Sequence, residues 1–427
     1  EGHTECLQLL LDAKANINAE TKSGDTALTL AAMKGHTGCL QLLLDARADI
    51  TSVNQNGDPA LILAARLGHI ECLKLLLDAK ADINAAGEDG VTALIMAAGE
   101  GHTGCLQLLL DAKADVNARA RFGISAVVAA VMQGHLLCFQ LLIDAKADID
   151  AVDEDGATAS IMAAMNGQTA SLQLLIDAKA DIRVTDKVGN TLLMIAAYHG
   201  HPECLHLLLD ANADIETRNK EGFTASIFAS GQGHPGCLQL LIKAKADLNT
   251  ADHAGSTALI VAAGMGRAKC LQLLLDAKAD MHATNKTGST ALSIAAENSE
   301  TKCLQLLLDA KANVSATDET GDAALTFAVP GGELACLQLL LDAKADVAAA
   351  NKNGQTAFML AALLGKAACL KMLLDAKANI HATDISGTTV LAHAAYGGET
   401  ACLQLLIDAK ADISVVDKNG DTALIVA

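Results

Sequence analysis

Apolar and polar positions alternate along this chain with one pattern repeated from end to end. Each unit contains a run of the type Cys-Leu-Gln-Leu-Leu-Leu-Asp-Ala, interrupted at i, i+3 and i+7, as at Glu71, Lys74 and Asp78 or Gly104, Gln107 and Asp111. A single non-apolar stripe of this spacing predicts a helix that is wetted along one side and packed on all others. An Ala-rich stretch precedes it, with Ala31-Ala32 or Ala97-Ala98 where two helices must nearly touch. Thr26, Thr92, Thr158 and Thr191 stand at the helix N-cap, with Ser125 as a substitute, while Pro59 and Ala323 offer no capping side chain there. Gly35, Gly68 and Gly101 are placed to end this first helix in a left-handed turn. Asn56-Gly57, Asn353-Gly354 and Asn419-Gly420 mark tight hairpins between units. Helices of about eight to ten residues are not stable alone, so each unit needs its neighbours.

The period is 33 residues. Gly24, Gly57 and Gly90 open a series that reaches Gly420 without an insertion or deletion. Residues 21–416 form twelve full repeats, flanked by partial repeats at 1–20 and 417–427. A length of 427 residues would ordinarily suggest two or three globular domains. The strict period predicts one array instead, an all-α solenoid of helix-turn-helix units with short hairpin-like turns, over residues 1–427. Stacking buries a continuous core and makes stability a sum of nearest-neighbour interfaces. The chain opens in mid-pattern without Met and reads as a piece of something longer. Residues before about 20 and after about 416 are expected to exchange amide hydrogens fastest.

These residues resemble the ankyrin-repeat family across the whole chain. The turn glycine, the T-P-L-H helix start, the Ala pair, Gly-His, the paired Leu and the A-D-hydrophobic-N ending are matched at most positions. Three departures recur. The family Pro is Ala at Ala27, Ala60 and Ala93, and the family His is Ile62, Thr29 or Met194, which removes the imidazole that ties repeats together. The Gly expected after the second helix is Arg47, Lys80 or Lys113, with Asn212 the residue best suited to a left-handed conformation. A non-Gly residue there costs roughly 1–2 kcal/mol if the turn stays left-handed. A cation at the helix C-terminus recovers about 0.3–1 kcal/mol.

Composition narrows the function. Half the residues are apolar but only 2% are aromatic, none of them Trp, so the core is built from Ala and Leu in regular layers. A formal charge of −19 argues against nucleic acid or an anionic membrane surface as partner. No run is long enough to span a membrane, and no secretory pattern opens the chain. Twelve cysteines, Cys6 to Cys402, share one repeat position, with Ser171 in the thirteenth slot. Equivalent atoms of stacked repeats lie about 8–10 Å apart, too far for disulfides. The ladder therefore reads as buried thiols acting as small apolar filler in a reducing, cytoplasmic compartment.

His-x-x-Cys recurs at His3/Cys6, His36/Cys39, His69/Cys72, His102/Cys105, His135/Cys138, His201/Cys204 and His234/Cys237. Two ligands per repeat do not make a structural zinc site. The His is read instead as a cap on the second helix; later repeats hold Arg267, Glu300, Glu333, Lys366 and Glu399 there. Twenty-two of the fifty acidic residues belong to the slots of Asp78 and Asp82, with twelve basic residues between them, so they form a solvated edge. No catalytic grouping and no phosphate loop rises above the repeat, and no cofactor is expected. Asn285-Lys286-Thr287 and Asn313-Val314-Ser315 match glycosylation sequons by coincidence.

Slots that stay constant are scaffold; those that vary cluster at the hairpin tips and the exposed end of the first helix. In the ankyrin family these positions line the concave face, so the resemblance implies a monomeric, non-catalytic scaffold that grips a partner protein. The alternatives are a targeting or spacer array of a larger enzyme, channel or ubiquitin-ligase adaptor, or a bacterial effector acting in a host cell. Between residues 120 and 230 the variable slots turn apolar: Phe122, Ile124, Val188 and Phe223 at the tips, and Met132, Met165 and Tyr198 on the first helix, flanked by Arg121 and Arg218. These residues are expected to form one strip, about 40 Å long. A weak joint is expected at residues 297–332, where Ser299 replaces the helix-ending Gly and Pro330 should end its helix early.

Overall fold

A computed structural model describes residues 2–427. Among them are 26 α-helices and no extended strand, only isolated antiparallel bridges that close the hairpins, such as Val53 with Pro59 and Ala86 with Thr92. The chain divides into two compact units, residues 1–213 and 214–427, each built of the same stacked pairs.

In the first unit, the pair Ala60–Arg66 and Ile70–Asp78 illustrates the packing. All of Ala60 to Ala65 is buried, because short side chains let neighbouring first helices pack on both flanks. On the second helix Cys72, Leu73 and Leu76 are buried, while Glu71, Lys74 and Asp78 face water, as the stripe predicts. Truncating one such leucine to Ala would cost about 2–5 kcal/mol. The second unit repeats the arrangement, with Cys270, Leu271 and Leu274 buried on Ala268–Asp276. The end helices Thr4–Asp12 and Ala423–Val426 bury no residue.

Local rules account for the boundaries. Thr26, Thr92, Ser125, Thr158 and Thr191 each accept the amide three residues on, and Pro59 and Ala323 begin their helices without such a bond. Gly35, Gly68 and Gly101 are left-handed, with φ of 72°, 73° and 78°. The turn after the second helix stays left-handed too, although Arg47, Lys80 and Lys113 occupy it at φ of 62°, 66° and 67°. The acidic edge is satisfied locally. Gln41 and Gln107 donate to Asp45 and Asp111 one turn on, and the Asp82 carboxylate accepts the Asn84 amide.

The expected break at Pro330 does not occur. Its helix runs Ala324–Gly331, eight residues, because a proline in the last turn removes only one terminal hydrogen bond. Ser299 keeps the left-handed turn at φ 61°. What differs lies at the start of the next helix, where the Leu334 amide lacks the bond to Gly332 that its equivalents Thr301 and Ala367 make to Ser299 and Gly365, and at Glu333. Its amide makes no bond to Ala328, whereas Glu300 and Lys366 bond back to Ala295 and Ala361 at 2.9 Å each.

Candidate partner interface

The hairpin tips of the first unit are stitched together through their backbones. Glu88 N–H donates to the Asn56 carbonyl at 3.2 Å, Arg121 to Asp89 at 2.6 Å, and Glu154 to Phe122 at 2.8 Å. Most hairpins are also braced from within. Asn54 Oδ1 accepts the amides of Asn56 and Asp58, and Asp186 Oδ1 those of Val188 and Asn190. Gly87 and Ala120 hold the bracing position in the next two hairpins after Asn54 and have no side chain to do this.

In the hairpin that Ala120 opens, Phe122 takes up φ 63°, ψ 12°, a left-handed conformation in a bulky aromatic residue. Such a residue costs of order 1–3 kcal/mol, which the tip-to-tip bonds sustain. Its ring is 55% exposed and lies 4.9 Å beneath the Arg121 guanidinium. Arg121 Nη1 in turn reaches Asp89 Oδ1 at 3.2 Å.

Tips and helix ends share one face of this unit. Arg66, the last residue of its first helix, reaches the buried Asp58 of its own hairpin, with Nη2 to Oδ2 at 2.9 Å. Met132, Met165 and Tyr198 occupy the Arg66 slot in later repeats and are exposed, as is Val188 on its tip; Ile124 is half-buried. Tyr198 packs edge-on against the His199 ring, with centroids 5.0 Å apart.

Arg218 and Phe223 lie in the second unit. Arg218 is committed to the backbone, donating to the carbonyls of Gly222 at 3.3 Å and Ala251 at 2.6 Å. The half-buried Phe223 ring lies 5.2 Å from that of Phe228. Periodicity could not reveal this, because it places slots without saying what a long side chain will find within reach.

The His of His-x-x-Cys is not a side-chain cap. It stands at the N-cap position, but none of its side chains bonds to the helix that follows. Instead the imidazole reaches back to the preceding repeat. His69, His102 and His201 donate Nε2–H to the carbonyls of Met33, Arg66 and Met165 at 3.2, 3.0 and 3.0 Å. A carbonyl can only accept, which fixes the proton on Nε2. The ring lies over the preceding glycine: a Cβ on Gly35 would stand 2.6 Å from His69 Nδ1. In the second unit Arg267 Nε makes the equivalent bond to Gly231 at 3.0 Å.

Among the described residues, no group of three or more His, Cys, Asp or Glu could hold a metal ion. No disulfide links the cysteines among the described residues, and all but Cys6 are buried. Burial pushes the Cys105, Cys270 and Cys303 thiols up to about 11, so they are poor nucleophiles. An open groove of about 520 Å³ in the second unit, lined by Leu334, Leu341 and Met372, lies between second helices, away from the tips.

Two features went unread in the sequence. Leu137 is 71% exposed on the stripe where Glu71 and Gly104 stand, and Tyr396, 73% exposed, repeats the Tyr198 slot in the second unit. Slot-by-slot alignment of the repeats carries both signals. A pair between the buried His393 and the half-buried Asp384 was also missed: Nε2 lies 3.2 Å from Oδ2, close but not aligned for a hydrogen bond.

Family models described as ankyrin repeats match residues 1–44, 47–120, 127–219 and 193–285, and continue in overlapping matches to 427. A comparison with curated proteins finds no match. No helix among the described residues is long and apolar enough to cross a membrane.

Proposed function

Because the chain belongs to the ankyrin-repeat family, whose members are generally protein–protein interaction modules, we propose that it is a non-catalytic scaffold which grips a partner protein with the first unit. The gripping surface consists of Arg121, Phe122, Ile124, Met132, Met165, Val188 and Tyr198. The protein acts as a monomeric array in the cytoplasm, where its ladder of buried thiols stays reduced.

One observation carries the choice of surface. Phe122 spends conformational energy to hold an aromatic ring in water, and a ring so presented serves contact with something outside the fold. Aromatic and Arg side chains commonly anchor protein interfaces, and Arg121 beside Phe122 supplies both. Arg218 and Phe223 are left out, since their contacts are internal.

The test is a pull-down with wild type and with Phe122→Ser/Tyr198→Ser, after circular dichroism has established that the helices survive. We expect the double variant to lose its partners. Retention of every partner at undiminished affinity would place the binding surface elsewhere.

A further inference from the structure

We infer that the strip on the first unit selects a partner segment in which apolar side chains are flanked by Lys or Arg. This rests on the reading of the strip as the binding surface and adds the chemistry of what binds.

The tip-to-tip bonds fix which charges border Phe122. Glu88 and Asp89 stand on the preceding tip, Glu154 and Asp155 on the following one, and all four are exposed. Glu100 adds an exposed carboxylate beyond the end of the first helix Ala93–Gly99. Against these five stand two cations, Arg121 and Lys187, so the border carries a net −3. The cations are already matched, Arg121 to Asp89 at 3.2 Å and Lys187 to Asp155 at 2.9 Å. Glu88, Glu154 and Glu100 are the carboxylates left to meet an incoming charge, the first two on the tips that flank Phe122.

The second unit provides a contrast. Its tips carry Lys220, Lys286, Lys352 and Lys418, with Glu221 and Glu319 the only acids at the same two tip positions. A basic segment is therefore attracted to the first unit and not to the tips of the second. A nucleic acid or an anionic membrane would be repelled by the border around Phe122. An acidic partner could reach the apolar strip only by placing like charges together, which opposes binding.

The experiment uses the whole chain, immobilised and panned with a phage-displayed random peptide library. The best peptide is then synthesised, and its affinity is measured by fluorescence anisotropy. Enriched peptides should combine Phe, Leu, Ile or Met with Lys or Arg. Glu88→Lys/Glu154→Lys should weaken binding about tenfold, and raising the salt should weaken it further. Both glutamates are exposed, so the exchange leaves the packing intact; circular dichroism verifies this. Neutral or acidic peptides that ignore the charge reversal but are lost with Phe122→Ser would overturn the charge rule and leave the strip standing. Peptides indifferent to Phe122→Ser as well would overturn both. A selection that enriches nothing would overturn recognition of a linear segment.

Discussion

At four joints of the first unit the carbonyl two residues before a helix-ending glycine is held by the next repeat. His69, His102 and His201 hold it with an imidazole, and Gln168 with a longer amide contact of 3.5 Å. In the second unit the same slot holds His234 and then Arg267, Glu300, Glu333, Lys366 and Glu399. Arg267 still donates, but a carboxylate has no proton to offer. At one of these joints Asn298 takes over, its amide donating to the Gly264 carbonyl at 2.9 Å. Glu399 lies over Gly365 with no comparable substitute. The difference shows which requirement is fixed. A side chain packed over the glycine is kept where Arg267, Glu300, Lys366 and Glu399 replace histidine, whereas the hydrogen bond is an optional addition worth about 1 kcal/mol.

The largest expected effect comes from breaking two of these latches. His69→Ala/His102→Ala should lower the stability of the first unit by about 2 kcal/mol, from two lost hydrogen bonds and the exposed glycine faces. Native-state hydrogen exchange over residues 37–111 should report it, while amides of the second unit keep their protection. Equal loss in both units would mean that the imidazoles do not act locally.

Lys80→Gly in the first unit and Lys311→Gly in the second test a feature the units share. Both lysines are left-handed, at φ 66° and 65°. Each exchange should raise stability by about 0.5–1 kcal/mol in urea titrations, strain relief outweighing the greater freedom of Gly in the unfolded chain. The gain should be the same in both units, unlike that from latch exchanges. Glu399→His should then add about 0.5 kcal/mol by restoring a donor, and Glu300→His less, because Asn298 already serves that joint.

The smallest effect is one of pH. Burial holds His393 below the ordinary imidazole value of 6.5, and the Asp384 carboxylate opposes that shift. The folded chain therefore binds fewer protons here than the unfolded chain does. Stability of the second unit should fall as pH drops below about 6.5 and level off below the folded pKa. His393→Leu, the residue found in the same slot at Leu360, should flatten this slope in urea titrations at pH 7.5 and 5.5. An unchanged slope would assign it to other groups.

Much of this architecture is legible in the sequence because it depends on neighbours within a few residues. The helix caps at Thr26 and Thr92, the left-handed glycines and the buried Cys-Leu-Leu faces follow from local sterics and period. The persistence of left-handed turns at Lys80 and its equivalents needs more. A sequence gives the cost of that conformation, and only the stacked repeats show that it is borne. Pro330 was misjudged for the opposite reason, since the rule that proline ends helices does not say how near the end it already stands.

The candidate site divides in the same way. Periodicity placed Met132, Met165 and Tyr198 on one slot and Phe122 on a tip, because a 33-residue repeat converts position into location. It could not separate Phe122, strained and exposed, from Phe223, packed on Phe228, or Arg121 from Arg218 bound to carbonyls. Nor could it find that His102 reaches back to Arg66 across 36 residues. The sequence alone determined the period, the helices and the buried faces, which are set by short-range sterics and the burial of apolar surface. The tertiary structure decided which long side chains reach a partner inside the fold and which remain in water, because that depends on distances between repeats that no single repeat contains.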